Sequence, residues 1–438
     1  MEWYYALALL LGLLVGFMLI GMPVVFAFFA VNIVGAVIFL GGQPGLSQLL
    51  RNAVASIQTF ALLPIPLFIL MGEIMFYTGL AARAIEAIDR LIARVPGRLS
   101  LVAILGGTIF SSLSGSTIAN TAMLGSTLLP EMYRRRYQPA ISIGPIVAVG
   151  GIAMLIPPSA LAVLLGSLAR IPVAELMVAS ILPALILAGM FVGYVIIRCM
   201  VQPAIAPGYD MPNFTAREKL IPFVKYVLPL MSIFVVVVGS IISGIATPTE
   251  SAALGVLASF AAAMAYRRLT RHSIYVALRQ TLRFTVMTLF IICGSITFSQ
   301  ILSFSGASTG LSSIILGAEL RPMLILLGML GILLFLGCFM DQVSMMMITV
   351  PLFMPLVQQL GFDLVWFGVL MLLVLEISLA TPPFGLLLFV IKGAAPRGTT
   401  MREIIGSVAP FIGLALVLTA LLIVFPEITL VLPSFIAK

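Results

Sequence analysis

The chain has 438 residues, of which 62% are hydrophobic and only 9% charged, and its mean hydropathy is +1.23. Soluble domains carry about 25% charged residues, so a water-soluble enzyme, a secreted disulfide scaffold and a disordered chain are all excluded. A net charge of +8 would point to nucleic acid in a soluble protein. Here the basic residues mark cytoplasmic loops instead, and no nucleic-acid partner is expected.

Apolar runs of about 20 residues recur from end to end, each long enough to cross a hydrocarbon core of about 30 Å. The expected fold class is an all-α polytopic membrane protein. Trp3, Tyr4 and Tyr5 open the first run as interfacial aromatics, with no basic segment of a cleaved signal before them. Spanning helices are predicted near 3–20, 23–41, 62–80, 139–165 and 176–200, then 226–244, 248–266, 284–304, 364–391 and 404–426. Stretches 43–60 and 267–283 read as amphipathic helices lying in the interface, the second competing with a plain charged loop. Re-entrant hairpins are placed at about 99–130 and 323–355. Cys199, Cys293 and Cys338 lie singly in apolar runs and read as small buried hydrophobes.

Prolines recur at a fixed spacing. Pro23 and Pro248, Pro130 and Pro355, and Pro157-Pro158 and Pro382-Pro383 are all separated by one and the same offset. Two repeats follow, residues 1–205 and 226–438, joined by a linker at 206–225. Charge relates them. The Arg-rich loop 267–283 corresponds to 42–58, which holds only Arg51, and the Arg-rich loop 81–98 corresponds to 306–323, which holds only Arg321. Equivalent loops of opposite character imply inverted topology, an arrangement found in secondary transporters. With both termini outside, 19 of the 23 Lys and Arg fall on the cytoplasmic side.

Two kinds of segment carry polar atoms at membrane depth. The run Ser111 to Thr117, followed by Asn120 and Thr121, is too rich in hydroxyls and glycine for a helix interior; it suits a hairpin tip whose second helix offers N–H groups to an anion. Close helix packing through small residues is the competing reading. Its equivalent runs from Gly337 to Ser344 and contains Asp341, which the proline offset pairs with Ser116. The proline pairs predict helix breaks at 156–159 and 380–384, whose freed carbonyls suit a hard cation such as sodium; a mere kink is the alternative. Glu73, Glu250, Asp341 and Glu376 are the acids in or beside apolar runs. Of these, Asp341 is the strongest cation ligand by position, Glu250 reads equally as a capping carboxylate, and Glu73 and Glu376 are left open.

At Gly244–Ala253, Leu155–Ser159, Met340-Asp341 with Pro351 and Pro355, and Ala380–Gly385, the chain resembles the large membrane subunit of tripartite ATP-independent periplasmic (TRAP) transporters over essentially its whole length. The resemblance implies a sodium-driven elevator-type importer in the bacterial inner membrane. Its partners would be a small four-helix membrane subunit, expected as a separate chain, and a periplasmic substrate-binding protein delivering an organic acid such as a sialic acid or a C4-dicarboxylate. It also implies two sodium sites. One would use Ser112 and Ser114 with carbonyls of Gly151, Met154 and Ile156; the other would use Gly337, Asp341 and Thr247 with Leu379 and Pro382. Substrate would meet Ser116, Asn120, Thr121, Ser159, Gln342, Ser344 and Thr381. A stand-alone anion carrier, coupled to sodium or protons, and more remotely an ion channel, are the other readings. One histidine and no clustered cysteines leave no nucleophile–base set, so the chain is not expected to be an enzyme.

Overall fold

A computed structural model describes residues 2–92, 95–114, 116–207 and 215–436, without the side chains of residue 81 and residues 112–114. Among the described residues every regular element is a helix. The first half contains α1 (Trp3–Leu19), α2 (Val24–Phe39), α3 (Gln43–Ile57), α4 (Pro64–Tyr77), α5 (Leu80–Leu91), α6 (Arg98–Ser114), α7 (Thr117–Arg134), α8 (Pro139–Gly150), α9 (Ala160–Ala169) and α10 (Val173–Val201). The second contains α11 (Ala216–Pro222), α12 (Leu228–Ile242), α13 (Pro248–Ala265), α14 (Arg271–Phe304), α15 (Ala307–Gly317), α16 (Pro322–Leu336), α17 (Gln342–Gln359), α18 (Leu364–Leu379), α19 (Leu386–Ala394), α20 (Met401–Val424) and the short α21 (Glu427–Leu430). Helices α7 and α17 begin and end at the offset of the prolines, and α8 and α18 begin at it too.

Five of the described helical stretches are long and apolar enough to cross a membrane: Phe60–Tyr77, Val173–Val201, Ala216–Ile242, Arg271–Phe304 and Met401–Val424. Large apolar side chains such as Leu19, Phe26, Leu257 and Phe335 face outward, as a lipid-facing surface requires. Prolines start helices where their missing N–H costs nothing, as at Pro64, Pro139, Pro248 and Pro322. Thr247 with Glu250, Thr270 with Ser273 and Thr400 with Glu403 close capping boxes.

The core is built where broken and hairpin helices meet. Helix α8 packs against α6, α7 and α20, while α18 packs against α10, α16, α17 and α20. Every residue of α18 from Val365 to Leu379 is buried. Small residues permit the close approaches: a Cβ on Gly144 would stand 2.4 Å from the Ser407 carbonyl.

Several elements differ from expectation. Segment 267–283 is not a separate helix; from Arg271 onward it forms the first turns of α14, one helix of 34 residues and thus about 51 Å long. The first half is interrupted at the equivalent place by Pro64 and Pro66, where α14 has Leu289 and Ile291 and runs on unbroken. The charged loop at 81–98 and its charge-poor equivalent at 306–323 contain helices α5 and α15. Helix α5 buries Leu80, Ala84, Ile85, Ala87 and Ile88 on one face and carries the Arg90–Glu86 ion pair on the other, a helical period that charge counting hides. From Ala216 onward the linker is helical: Thr215 and Glu218 cap α11, which passes through a π turn at Phe223–Val227 into α12. Linker positions 208–214 lie outside the described residues.

The break in the first half is wider than the proline pair alone predicts. Helix α8 stops at Gly150, and 151–159 are irregular, so 139–165 is not one helix. Gly150 and Gly151 weaken the helix before the prolines are reached. In the second half α18 continues to Leu379, and 380–385 form the shorter break.

Candidate functional site

Four segments converge: the connection between α6 and α7, the break after α8, the connection between α16 and α17, and the break after α18. Each second hairpin helix opens on a side-chain cap. Ser116 accepts from Ala119 N–H at 3.3 Å, and the equivalent Asp341 accepts from Val343 N–H at 3.0 Å and Ser344 N–H at 3.2 Å. The Ser344 hydroxyl also donates to Asp341. Asp341 therefore has the geometry of a helix-capping carboxylate with its negative charge at a helix N-terminus.

Both breaks carry backbone carbonyls that accept no hydrogen bond from the described residues. In the first these are Gly151, Ala153, Met154, Leu155, Ile156, Pro157 and Pro158; in the second, Leu379, Ala380, Pro383 and Phe384. The Gly337 carbonyl at the end of α16 is equally free, whereas the Pro382 carbonyl accepts from the Cys338 thiol at 3.1 Å. Residues 152–159 are buried. Unpaired buried carbonyls are costly unless a ligand meets them.

The expected site residues fall into two groups and an outlier. Thr121 lies against Gly150, where a Cβ would meet its Oγ1 at 2.2 Å. This joins the α7 end of hairpin one to Gly151, Met154 and Ile156. Ser112 and Ser114 belong to the last turn of α6, but their side chains lie outside the described residues. Gly337 presses on α18, since a Cβ there would stand 1.9 Å from Ser378 Oγ; with the Cys338–Pro382 bond this brings Gly337 and Asp341 to the Leu379–Pro382 break. Thr247 stands apart. It is exposed, and both its N–H and its hydroxyl are engaged with the Glu250 carboxylate at 2.7 and 2.8 Å. The capping reading of Glu250 thus accounts for both residues.

Among the expected substrate contacts, Ser159 is buried and caps α9 through Ala162 N–H at 3.2 Å. The Thr381 hydroxyl donates to the Ile377 carbonyl at 2.8 Å. The Asn120 amide donates to Ser111 Oγ at 2.5 Å and to the Gly107 carbonyl at 3.3 Å. Asn120, Thr121, Gln342 and Ser344 are buried, while Ser116 and Thr381 are partly exposed.

Sequence reasoning left Glu376 without a role, and the structure puts it at the centre. Its side chain is buried, and Oε1 accepts from the Thr117 hydroxyl at 2.7 Å, a bond between the two halves of the chain. The Gln342 amide and the Met154 N–H also face this carboxylate. Gln342 in turn donates to Met154 Sδ at 3.0 Å. Thr117 and Gln342 are the first residues of α7 and α17 and hold equivalent positions in the two halves, so each hairpin reaches the broken helix of the other half. The signal was present in the proline offset, which pairs Thr117 with Gln342 and Gly151 with Glu376.

An all-helical fold with apolar helices, paired interrupted helices and polar groups gathered at the interruptions defines a multi-pass membrane transporter. Residues 11–428 match the family model described as tripartite ATP-independent periplasmic transporter, DctM component. The chain belongs to this family of TRAP large permeases. It is 32% identical over 381 residues to the C4-dicarboxylate TRAP transporter large permease protein DctM of Pseudomonas aeruginosa, covering 86% of this chain and 87% of that one. Identity to the sialic acid TRAP transporter large permease protein SiaM of Vibrio cholerae is 30% over 425 residues, or 96% of each chain. The YdaH transporter of Alcanivorax borkumensis shares the fold with a TM-score of 0.64 at 15% identity, over 88% of this chain and 89% of that one. The named relatives are permeases and not enzymes.

Proposed function

We propose that this permease imports an organic acid, delivered by a periplasmic binding protein and driven by sodium, together with a small four-helix membrane subunit. The observation that carries the reading is the set of free, buried carbonyls at both breaks beside the two hairpin connections. Hard carbonyl and hydroxyl oxygens at interrupted helices suit sodium, and helix N-termini suit a carboxylate. One sodium site comprises the carbonyls of Gly151, Met154 and Ile156 with Ser112 and Ser114. The other comprises the carbonyls of Gly337, Leu379 and Pro382 with Asp341, and does without Thr247. The relatives named for C4-dicarboxylate and sialic acid favour a carboxylate cargo. Two repeats of inverted topology, 1–205 and 226–438, would carry the hairpins and breaks together in an elevator movement.

Uptake into proteoliposomes containing the permease, the small subunit and the binding protein tests this. Transport should need sodium and the binding protein but no ATP, since the sequence has no GxxxxGK[ST] phosphate loop. Unchanged uptake with choline replacing sodium on both sides refutes the coupling, and unchanged uptake without the binding protein favours a stand-alone carrier. For the topology, a cysteine at position 272 should be labelled from the cytoplasmic side; labelling only from the periplasm refutes inversion.

A further inference from the structure

Three buried side-chain oxygens near the first break have no hydrogen-bond partner: Glu376 Oε2, Thr121 Oγ1 and Asn120 Oδ1. Two of them flank the same pair of glycines. A Cβ on Gly150 would meet Thr121 Oγ1 at 2.2 Å, and a Cβ on Gly151 would stand 3.8 Å from Glu376 Oε2. Consecutive Cα atoms are only about 3.8 Å apart, so both oxygens face one short stretch of backbone. The Gly151 carbonyl and those from Ala153 onward are free there.

Glu376 lacks an ion-pair partner among the described residues. The Thr117 hydroxyl donates to Oε1, and the Gln342 amide and the Met154 N–H face the carboxylate, leaving Oε2 without a hydrogen bond. A buried carboxylate is expensive to charge unless a cation stands beside it. A cleft walled by Val147, Gly151, Glu376, Ala380 and Phe411 reaches this point.

We infer that Glu376 supplies the charge of a hard monovalent cation site at the first break, with Thr121 Oγ1 and the free break carbonyls as its neutral ligands. This rests on the sodium reading above and adds to it a charged ligand from the opposite half of the chain. The first site then joins both halves: carbonyls and hydroxyl come from α7 and the α8 break, and the carboxylate comes from α18. The buried hydroxyl of Thr121 makes no hydrogen bond among the described residues, so removing it separates ligation from structure.

The test is equilibrium binding of radioactive sodium to the full-length chain in nanodiscs, with choline as the balancing ion. Glu376→Gln should raise the half-saturating sodium concentration of one site at least tenfold. Thr121→Val should raise it several-fold while leaving the melting temperature in choline unchanged. Wild-type sodium binding by Glu376→Gln overturns the inference while the sodium reading stands; absence of sodium binding by the wild-type chain overturns both. If Glu376→Gln does not fold, wild-type binding by Thr121→Val overturns it in the same way.

Discussion

Gly337 ends α16 at the point where that helix presses on α18, and replacing it by alanine tests how tightly the second hairpin is seated. The added methyl carbon would lie 1.9 Å from Ser378 Oγ, 2.2 Å from Ser378 Cβ and 3.1 Å from Met345 Cε. Carbon atoms rest at about 3.5–4.0 Å, so the two helices must part by more than about 1 Å. The methionine end can swing aside. Ser378 cannot, because its hydroxyl donates to the Leu375 carbonyl at 2.7 Å and its Cβ is fixed to a buried helix. Gly337 has φ of −68°, an ordinary helical value, so the strain is purely steric. Overpacking of this kind costs about 1–3 kcal/mol, and the lack of room on the Ser378 side puts Gly337→Ala at about 3 kcal/mol. Adding Ser378→Gly should recover most of this, less about 1 kcal/mol for glycine in a helix. Adding Ser378→Ala should recover little, because the offending Cβ remains. Thermal unfolding in detergent, read as a double-mutant cycle, gives the coupling. Wild-type stability of Gly337→Ala, or equal rescue by alanine and glycine at 378, would refute the packing argument.

Thr117→Val removes the hydroxyl that donates to Glu376 and should cost about 1–3 kcal/mol in unfolding free energy, whereas Thr117→Ser should be close to wild type. Asp341→Ala loses the cap of α17 and should cost about 1 kcal/mol in the same assay. Asp341→Asn keeps a capping oxygen and should leave stability nearly unchanged; initial uptake against sodium concentration should nonetheless shift to higher half-saturation, and an unshifted curve would leave Asp341 a cap alone. Gly150→Ala drives a methyl onto Thr121 Oγ1 and should reduce uptake, with unchanged uptake refuting the close approach.

What the sequence disclosed follows from which forces act locally. Hydropathy and proline positions act within a few residues, so the apolar helices, the two hairpin connections and the two proline-linked breaks were legible. The continuity of α14 was hidden because arginines suggest an interface, while the absence of proline at 289 and 291 is silent. Helix α5 was masked in the same way by Arg83 and Arg90. Family likeness implied Thr247 as a ligand beside Asp341, while its Thr-x-x-Glu spacing with Glu250 already described the capping box that the structure holds. Glu376 was beyond reach for another reason: its partners Thr117, Met154 and Gln342 come from three other segments of the chain, two of them in the opposite half, and no local pattern reports such a meeting.

The pairing of Gly151 with Glu376 bears on symmetry. In the two-repeat arrangement proposed above these are equivalent positions, and they touch: a Cβ on Gly151 would lie 3.8 Å from Glu376 Cβ. Equivalent residues in contact would flank a pseudo-twofold axis relating the repeats. An element on the axis exists once, whatever is doubled around it. Glutamates at both positions would crowd two carboxyl groups around donors sufficient for one, and glycines at both would leave none. A duplicated architecture of that kind would therefore break its own symmetry at this spot, with a side chain on one segment of the pair and a gap on the other.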